Sequence, residues 1–350
     1  MHSNPVCKAQ VAQVAAEGGA GGESLEHAAC LQHNHAMSIQ QLTVHNFCAL
    51  TVWYNPTQDY VANALSYAGS FDRIFIVDNS EGDNSSLASQ IPNAIYIANG
   101  KNLGIAKALN QGIEAALGEN GKGRDWRWVM TMDQDSAWEE EQLEKYIALC
   151  IETSAQDEAI KSFSPQAINT SGASHSTLGI WRRKLYTLIT RKDFKEKVQL
   201  GFVDRTLTSG NIIEISAWQQ VGRFDELLFI DDVDFDFCYR LLEAGFKILK
   251  TEIVMLHQMQ DGEKRTFLPY DFSKNSPMRL FYIFRNMLFI IKRHTWAAKK
   301  YHYKSNILKL ALRKCVFDKK AVANIKILIR AYKDYKETLL PLIKNAHEKN

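Results

Sequence analysis

The chain has 350 residues, 46% apolar and 23% charged, which excludes a disordered or collagen-like polymer and allows one large domain or two ordinary ones. It has no uncharged apolar run of about 18 residues, so no bilayer-spanning helix is expected, and its six Cys are scattered without a C-x-x-C pair, which excludes a zinc or disulfide framework and suits a reducing compartment. The net charge of +3 hides an asymmetry: residues 277–350 hold 18 of the 42 Lys and Arg but only 4 of the 39 Asp and Glu, so a mildly acidic body carries a basic C-terminal segment.

Residues 1–40 lack periodicity, and EGGAGGES (17–24) reads as flexible chain. No basic stretch leads into an apolar one there, so a secretory signal is not expected. Met37 directly precedes sequence that behaves as a domain start, and the first 36 residues read as an upstream extension or a disordered tail.

Strand–helix alternation follows. ALTVWY (49–54) reads as a buried strand ending at Asn55-Pro56, and 58–67 as a helix. RIFIV (73–77) is a second strand ending in Asp78-Asn79-Ser80, and AIYIA (94–98) a third. Residues 105–117 form a helix with Ile105, Leu109, Ile113 and Leu117 on one stripe. WVMTM (128–132) is a fourth strand, ending in Asp133-Gln134-Asp135. Strands separated by helices of this length predict parallel pairing, and ligands of such sheets bind beyond the carboxyl ends of the strands. Asn55, Asp78, Asn99, Asp133 and Asp135 all fall at such ends.

Each cluster has a chemical reading beside a plain one. Asp78 either accepts hydrogen bonds from a base or a ribose, or forms an Asx-turn. NGKNLGIAKALNQG (99–112) opens a helix at Asn102 and Gly104; it is either an anion site at a helix N-terminus or an ordinary capped helix. Two carboxylates one residue apart, Asp133 and Asp135, can hold Mg²⁺ or Mn²⁺ through hard oxygen ligands, although a bare D-x-D also arises by chance. Residues 162–168 read as a strand, and 171–197 as a polar, aromatic and basic excursion, a loop or a hairpin. Ser209, Gly210 and Asn211, before an apolar strand at 212–215, either let a ligand lie against the backbone or make a turn. KILKTEIVMLH (247–257) is a strand ending in His257, a rim residue or a metal ligand.

The stretch GRFDELLFIDDVDFDFCYRLLEAG (222–245) carries Asp231, Asp232, Asp234 and Asp236 between an apolar run and a helix whose Val233, Phe237 and Leu241 share a face. Gly245 suits the position just past the helix. Acids at a helix start are favoured by its dipole, and N-capping would explain one of them; two adjacent Asp there point to a carboxylate held as a base.

VWYNP (52–56), VDNS (77–80), NLGIAKALNQG (102–112), MDQDS (132–136), TSGN (208–211), GRFDELLFIDDVDFDFCYR (222–240) and His257, in this order, resemble a family-2 inverting glycosyltransferase of GT-A fold. The nearest subgroup is the bacterial rhamnosyltransferases of O-antigen and cell-wall polysaccharide synthesis. The resemblance implies an α/β fold, a mixed Rossmann-like sheet flanked by helices, over residues 41–275. It implies that Asn55, Pro56, Asp78, Asn102, Gly104 and Asp133 bind the nucleotide. Asp133, Asp135 and His257 would hold Mg²⁺ or Mn²⁺, and Ser209, Gly210 and Asn211 would lie at the sugars. Asp232, with Asp231 beside it, matches the family's catalytic base. The donor implied is dTDP-L-rhamnose, with UDP-galactofuranose or UDP-hexoses as alternatives; the acceptor is a polyprenyl-diphosphate-linked or growing cell-surface glycan. The Q-x-x-R-W motif of processive synthases is absent.

Residues 276–350 read as basic amphipathic helices. They suit the cytoplasmic face of the inner membrane or a solvated helical hairpin on the catalytic domain. No nucleic-acid-binding signature accompanies them. YIFRN (282–286) is similar to a Y-x-x-R-N stretch of the related rhamnosyltransferases. A sugar-nucleotide pyrophosphorylase is the second enzyme class considered, but YNPTQD (54–59) stands where its Gly-rich loop is expected. A silent nucleotide-sugar-binding subunit is the third, opposed by the intact Asp133, Asp135, Asp232 and His257.

Overall fold

The structure is a computed structural model and describes residues 43–169, 201–257, 276–318 and 320–347. The expected extension at 1–40 and the excursion at 171–197 lie outside the described residues. From Val44 onward the chain forms one compact unit.

Four parallel strands make the first half: β1 (Phe47–Trp53), β2 (Ile74–Asp78), β3 (Ala94–Ala98) and β4 (Trp128–Asp133). They lie in the order β3-β2-β1-β4, as the alternation with helices requires. Every residue of β1 and β2 is buried, which is why they read as continuous apolar runs rather than alternating ones. The crossovers are α1 (Gln58–Ala68), the single turn α2 (Ser85–Ala88) and α3 (Ile105–Glu119). Leu109 and Ile113 of the expected stripe are fully buried, and Ile105 and Leu117 pack against the same core. Gly112 faces Leu50 of β1 so closely that a β-carbon would sit 2.1 Å from its Cδ1. A side chain there would force the buried Leu50 side chain or the helix to shift.

Beyond β4 the sheet is mixed. After β5 (Ser136–Ala137) and α4 (Glu140–Gln156) come β6 (Ile160–Asn169), β7 (Gly201–Phe202), β8 (Asn211–Glu214) and the short α5 (Ile215–Gln220). β8 lies antiparallel between β4 and β6. After α6 (Val233–Glu243), β9 (Lys247–His257) runs parallel to β6 and carries β5 and β7 as antiparallel partners. Two reversals, at β8 and β6, restore the direction of β4. The carboxyl ends of β4 and β9 therefore reach the same edge of the sheet.

The C-terminal region is helical: α7 (Pro277–Arg293), α8 (Thr295–Lys300), α9 (Tyr303–Leu312), α10 (Ala321–Asp334) and α11 (Leu340–His347). Ser276 caps α7, its Oγ accepting from the Arg279 N–H at 3.2 Å, and Pro277 occupies the first turn, where a missing N–H costs nothing. Phe289, Ile290, Ala297, Tyr303, Tyr335, Leu339 and Ile343 belong to the same apolar core as Leu109 of α3 and Phe237 of α6. The helices thus pack into the apolar core of the sheet domain rather than stand apart from it. No described helix is long and apolar enough to cross a membrane.

Candidate active site

Strand pairing builds the first cluster. β5 pairs with the end of β9 so that Ser136 sits opposite His257. This brings Asp133, Asp135 and His257 together, each offering one ligand atom, all within 4.8 Å of one another. At metal–oxygen distances of roughly 2.1 Å, ligands on opposite sides of one ion stand about 4 Å apart. The group therefore fits a divalent cation after small side-chain adjustments, and two carboxylates with one imidazole suit Mn²⁺ or Mg²⁺. His257 Nδ1 lies 3.7 Å from Asp135 Oδ1 and 2.7 Å from Ser136 Oγ, a contact that orients the ring. Burial and the neighbouring Asp135 push Asp133 up to about 6, against the pull of His257, and burial also raises Asp135. Two carboxylates kept at such cost are what a cation would relieve.

Ser209, Gly210 and Asn211 stand behind this cluster. Ser209 Oγ accepts from the Asp133 N–H at 3.1 Å and donates to Ser136 Oγ at 2.8 Å. The Gly210 N–H bonds Thr131 at 2.8 Å, and its carbonyl accepts from Tyr146 at 3.0 Å. Asn211 Oδ1 accepts from Ser162 at 2.7 Å. All three residues are buried and their bonds are internal. Through these bonds they brace the Asp133 loop.

The expected nucleotide side lies at the ends of β1 and β2 and the start of α3. Asn55 is exposed, in a left-handed conformation (φ 49°), with its N–H on Ser80 Oγ at 2.7 Å; Pro56 is half-buried beside it. Tyr54 is exposed, and Gln134 of the D-Q-D segment holds its backbone from both sides, accepting from its N–H at 2.8 Å and donating to its carbonyl at 3.3 Å. Asp78 is almost wholly buried. Its Oδ1 accepts from the Ser80 N–H and hydroxyl at 2.9 and 2.5 Å, and its Oδ2 from Asn84 and Tyr96 at 2.7 and 2.8 Å. These bonds fill the roughly four acceptor positions of a carboxylate. The Asx-turn is therefore formed, and Asp78 makes the floor under this side. Asn102 Oδ1 accepts from the Gly104 N–H at 2.9 Å, a second Asx-turn. Gly104 (φ 85°) is buried against Phe229: a β-carbon would lie 2.6 Å from Phe229 Cδ2 and 2.7 Å from its carbonyl oxygen. The first N–H of α3, on Ile105, donates to that carbonyl at 2.7 Å.

The acidic stretch is thus docked on α3. Asn110 completes the docking: its Oδ1 accepts from Trp218 Nε1 and the Phe224 N–H, and its Nδ2 donates to the Phe224 carbonyl and Glu226. α6 begins at the Asp pair and ends as expected at Gly245, where the Gly245 N–H bonds Leu242 and the Phe246 N–H bonds Leu241, both at 3.0 Å. Asp232 accepts from the Tyr303 hydroxyl at 3.1 Å. Burial pushes Asp232 up to about 7; the Tyr303 bond pulls it down, and Asp231 and Asp236 add repulsion. Asp234 is likewise raised to about 7, by burial, then by Asp232, with Asp133 contributing. Asp234 therefore lies in the field of both clusters, which joins the D-x-D end of the sheet to the head of α6. Asp231 is ion-paired with Arg279 of α7, Nη2 to Oδ1 at 3.0 Å. Asp236 has a different task. Burial opposes its charge, but Arg240, His294 and Arg293 hold its carboxyl well below the usual carboxylate range. Arg240, one turn along α6, approaches to 2.8 Å, while His294 at 2.9 Å and Arg293 at 3.2 Å pin α6 to the α7–α8 junction.

Residues 54–205 match the glycosyl transferase family 2 profile. The likeness to glycosyl transferase family 2 thus rests on 152 of the 350 residues. A dTDP-rhamnosyl transferase, RfbF, of Shigella flexneri is 27% identical over 259 residues, covering 71% of this chain and 81% of that protein. A crystal structure of GalNAc-T7 with UDP, GalNAc and Mn²⁺ aligns over 93% of this chain and 67% of that one at 12% identity, with a TM-score of 0.49. The observed architecture, a mixed sheet with a parallel β3-β2-β1-β4 half and flanking helices, is the GT-A class expected for such a domain. The family 2 domain contributes Asn55, Asp78, Asn102, Asp133 and Asp135; Asp232, His257 and the groups that hold them come from later in the chain.

Sequence reasoning missed Tyr303, Gln134 and Arg279, and noted Arg285 and Asn286 only by similarity. Nothing local to Tyr303 signals its place, because its partner is 71 residues away. Asn110 and Gly112 were legible as a motif, but their reasons are contacts with Phe224 and Leu50.

Proposed function

We propose that this protein is a metal-dependent inverting glycosyltransferase that moves L-rhamnose from dTDP-L-rhamnose to a hydroxyl of a lipid-linked or growing cell-surface glycan. The observation that carries this reading is the convergence of Asp133, Asp135 and His257 within 4.8 Å, in a family 2 domain, with Asp232 at the head of α6. Asp133, Asp135 and His257 would hold Mg²⁺ or Mn²⁺, whose charge supports the departing diphosphate. Asn55 and Pro56 line the nucleotide side over the floor made by Asp78, with Asn102 and Gly104 at the adjoining turn. Asp232 takes the proton of the acceptor hydroxyl as it attacks the anomeric carbon; a carboxylate raised to about 7 by burial is a stronger base than an ordinary one. A single displacement inverts the anomeric centre and needs no covalent nucleophile. The rhamnosyl donor is favoured by the likeness to the Shigella flexneri dTDP-rhamnosyl transferase; a UDP-sugar donor is the alternative.

The same reading puts the protein on the cytoplasmic face of the inner membrane through its C-terminal helices. On α10, Val322, Ile325, Ile329 and Tyr332 are 71%, 40%, 63% and 49% exposed at helical spacing, with Lys326, Arg330 and Lys333 exposed among them. An apolar stripe edged by cations suits an anionic bilayer surface and a polyprenyl-linked acceptor.

A thermal-shift panel of sugar nucleotides, each with and without Mn²⁺, tests the reading, since a ligand that binds only the folded chain raises Tm. The expected result is a metal-dependent shift with dTDP-L-rhamnose larger than with dTDP or UDP-sugars, and loss of its metal-dependent part in His257→Ala. A larger shift with a UDP-sugar would replace the donor, and no shift with any sugar nucleotide would remove the enzyme reading.

A further inference from the structure

The backbone that presents Asp232 is held where ordinary residues avoid going. Phe229, Asp231 and Asp232 have φ of 62°, 61° and 60°. Each such residue carries a conformational cost and persists only where its surroundings over-determine it. Most of those surroundings come from one helix, α7. Asn286 is fully buried, and its Nδ2 donates to the carbonyls of Leu228, Ile230 and Asp231 at 2.9, 2.8 and 2.8 Å. The amide can face only one way, because Arg285 donates to its Oδ1 from Nε and Nη2 at 3.1 and 3.0 Å, and a guanidinium has no acceptor. Arg285 also donates to the Leu227 carbonyl, and its Nη1 reaches Asp334 at 3.3 Å, which ties the arrangement to α10. The Phe229 ring is stacked on Tyr282, centroids 4.7 Å apart.

Two amide hydrogens shared by three carbonyls require those carbonyls to converge. A helix or strand does not turn the carbonyls of 228, 230 and 231 to one point; the left-handed residues between them do. Pairing and strain therefore imply each other.

We propose that Asn286 is a positioning residue for sugar transfer: by gathering these three carbonyls it keeps Asp231 and Asp232 left-handed and so aims the Asp232 carboxylate. This rests on the reading of Asp232 as the base. The role is separate from binding the sugar nucleotide, because Asn286 touches neither the Asp133–Asp135–His257 group nor the Asn55 side among the described residues. Its loss should cost turnover and spare affinity.

The test uses the full chain and Asn286→Leu, which keeps the branched four-atom skeleton and removes the amide. Release of dTDP from dTDP-L-rhamnose with Mn²⁺, water serving as acceptor, gives kcat and KM. Calorimetry gives the affinity for the same sugar nucleotide, and hydrogen exchange of a peptide spanning 226–236 reports the loop. The expected result is a kcat lower by roughly tenfold or more, with KM and affinity within about threefold and faster exchange confined to that peptide. A loss of rate that follows affinity or the folded fraction would make Asn286 merely structural and overturn the proposal, as would unchanged kcat and exchange. Should Asn286→Leu fail to fold, Asn286→Ser, which keeps one shorter donor, is read by the same criteria. Asp232→Asn separates the two ideas: full transfer by that variant removes the base reading, whereas unchanged kcat and exchange in the Asn286 variants remove the positioning role alone.

Discussion

Gly104→Ala is a sharp probe of how the first half of the chain and the acidic stretch depend on each other. Gly104 has φ 85°, and an added β-carbon would lie 2.6 Å from Phe229 Cδ2 and 2.7 Å from the Phe229 carbonyl oxygen. The ring carbon could swing aside, but the carbonyl cannot without moving the loop that leads to Asp231 and Asp232, and it is already bonded to the Ile105 N–H at 2.7 Å. A non-glycine residue at φ 85° and ψ 161°, a region essentially confined to glycine, costs about 1–3 kcal/mol, and overfilling a packed site costs about 1–3 kcal/mol. The expected loss is therefore about 2–6 kcal/mol of unfolding free energy, a large share of the roughly 5–15 kcal/mol that a folded protein has. Urea unfolding followed by tryptophan fluorescence measures it as a fall in midpoint at unchanged slope. Gly118→Ala is the control: it lies in the same helix, has no atom within 4 Å of an added β-carbon and no positive φ. It should leave stability unchanged or raise it by about 0.4–1 kcal/mol. A Gly104→Ala protein with the parent's midpoint and turnover would refute the docking of the acidic stretch on α3 described above.

Asp232 gives a pH prediction whose sign is fixed by its environment. Its folded value, about 7, lies above the ordinary 3.8, so the folded chain binds that proton more tightly than the unfolded one. The stabilisation is fully present below about pH 4 and is lost as pH rises through 7. Asp232→Asn should thus raise Tm at pH 8 and leave it nearly unchanged at pH 4; equal effects at both would contradict the burial argument. Tyr303→Phe removes a hydrogen bond that holds Asp232 down, so the acid limb of the kcat/KM profile should move to higher pH, and an unmoved limb would show that the bond does not tune the base. For the C-terminal face, Ile329→Glu should weaken co-sedimentation with phosphatidylserine vesicles by roughly tenfold, about what losing one buried aliphatic side chain implies; equal binding by variant and parent would remove α10 from the membrane contact.

The sequence by itself determined the elements whose burial is written in neighbouring residues. β3 and β9 lie at the expected bounds, and β1, β2, β4 and α3 within two residues of them; β1, β2 and β4 are buried on both faces and so read as continuous apolar runs, and α3 repeats its apolar residues at 3.6. It also determined that polar groups collect at strand ends, and which Asp residues deserved a chemical reading. It did not reveal α4, which was passed over, or the antiparallel insertion of β8, since four buried residues carry no mark of direction.

Only the tertiary structure decided what each polar group touches. His257 meets Ser136 across 121 residues because β5 pairs with β9. Asp78 is enclosed by Ser80, Asn84 and Tyr96, and Ser209 bonds Asp133, partners that neither stretch names in its own sequence. Tyr303 and Asn286, from helices that composition marked as a membrane region, reach back 71 and 55 residues to Asp232 and the Asp231 carbonyl. Hydrogen-bond partners are set by where packed elements bring backbone and side chains together, and local periodicity records only which face of an element is dry.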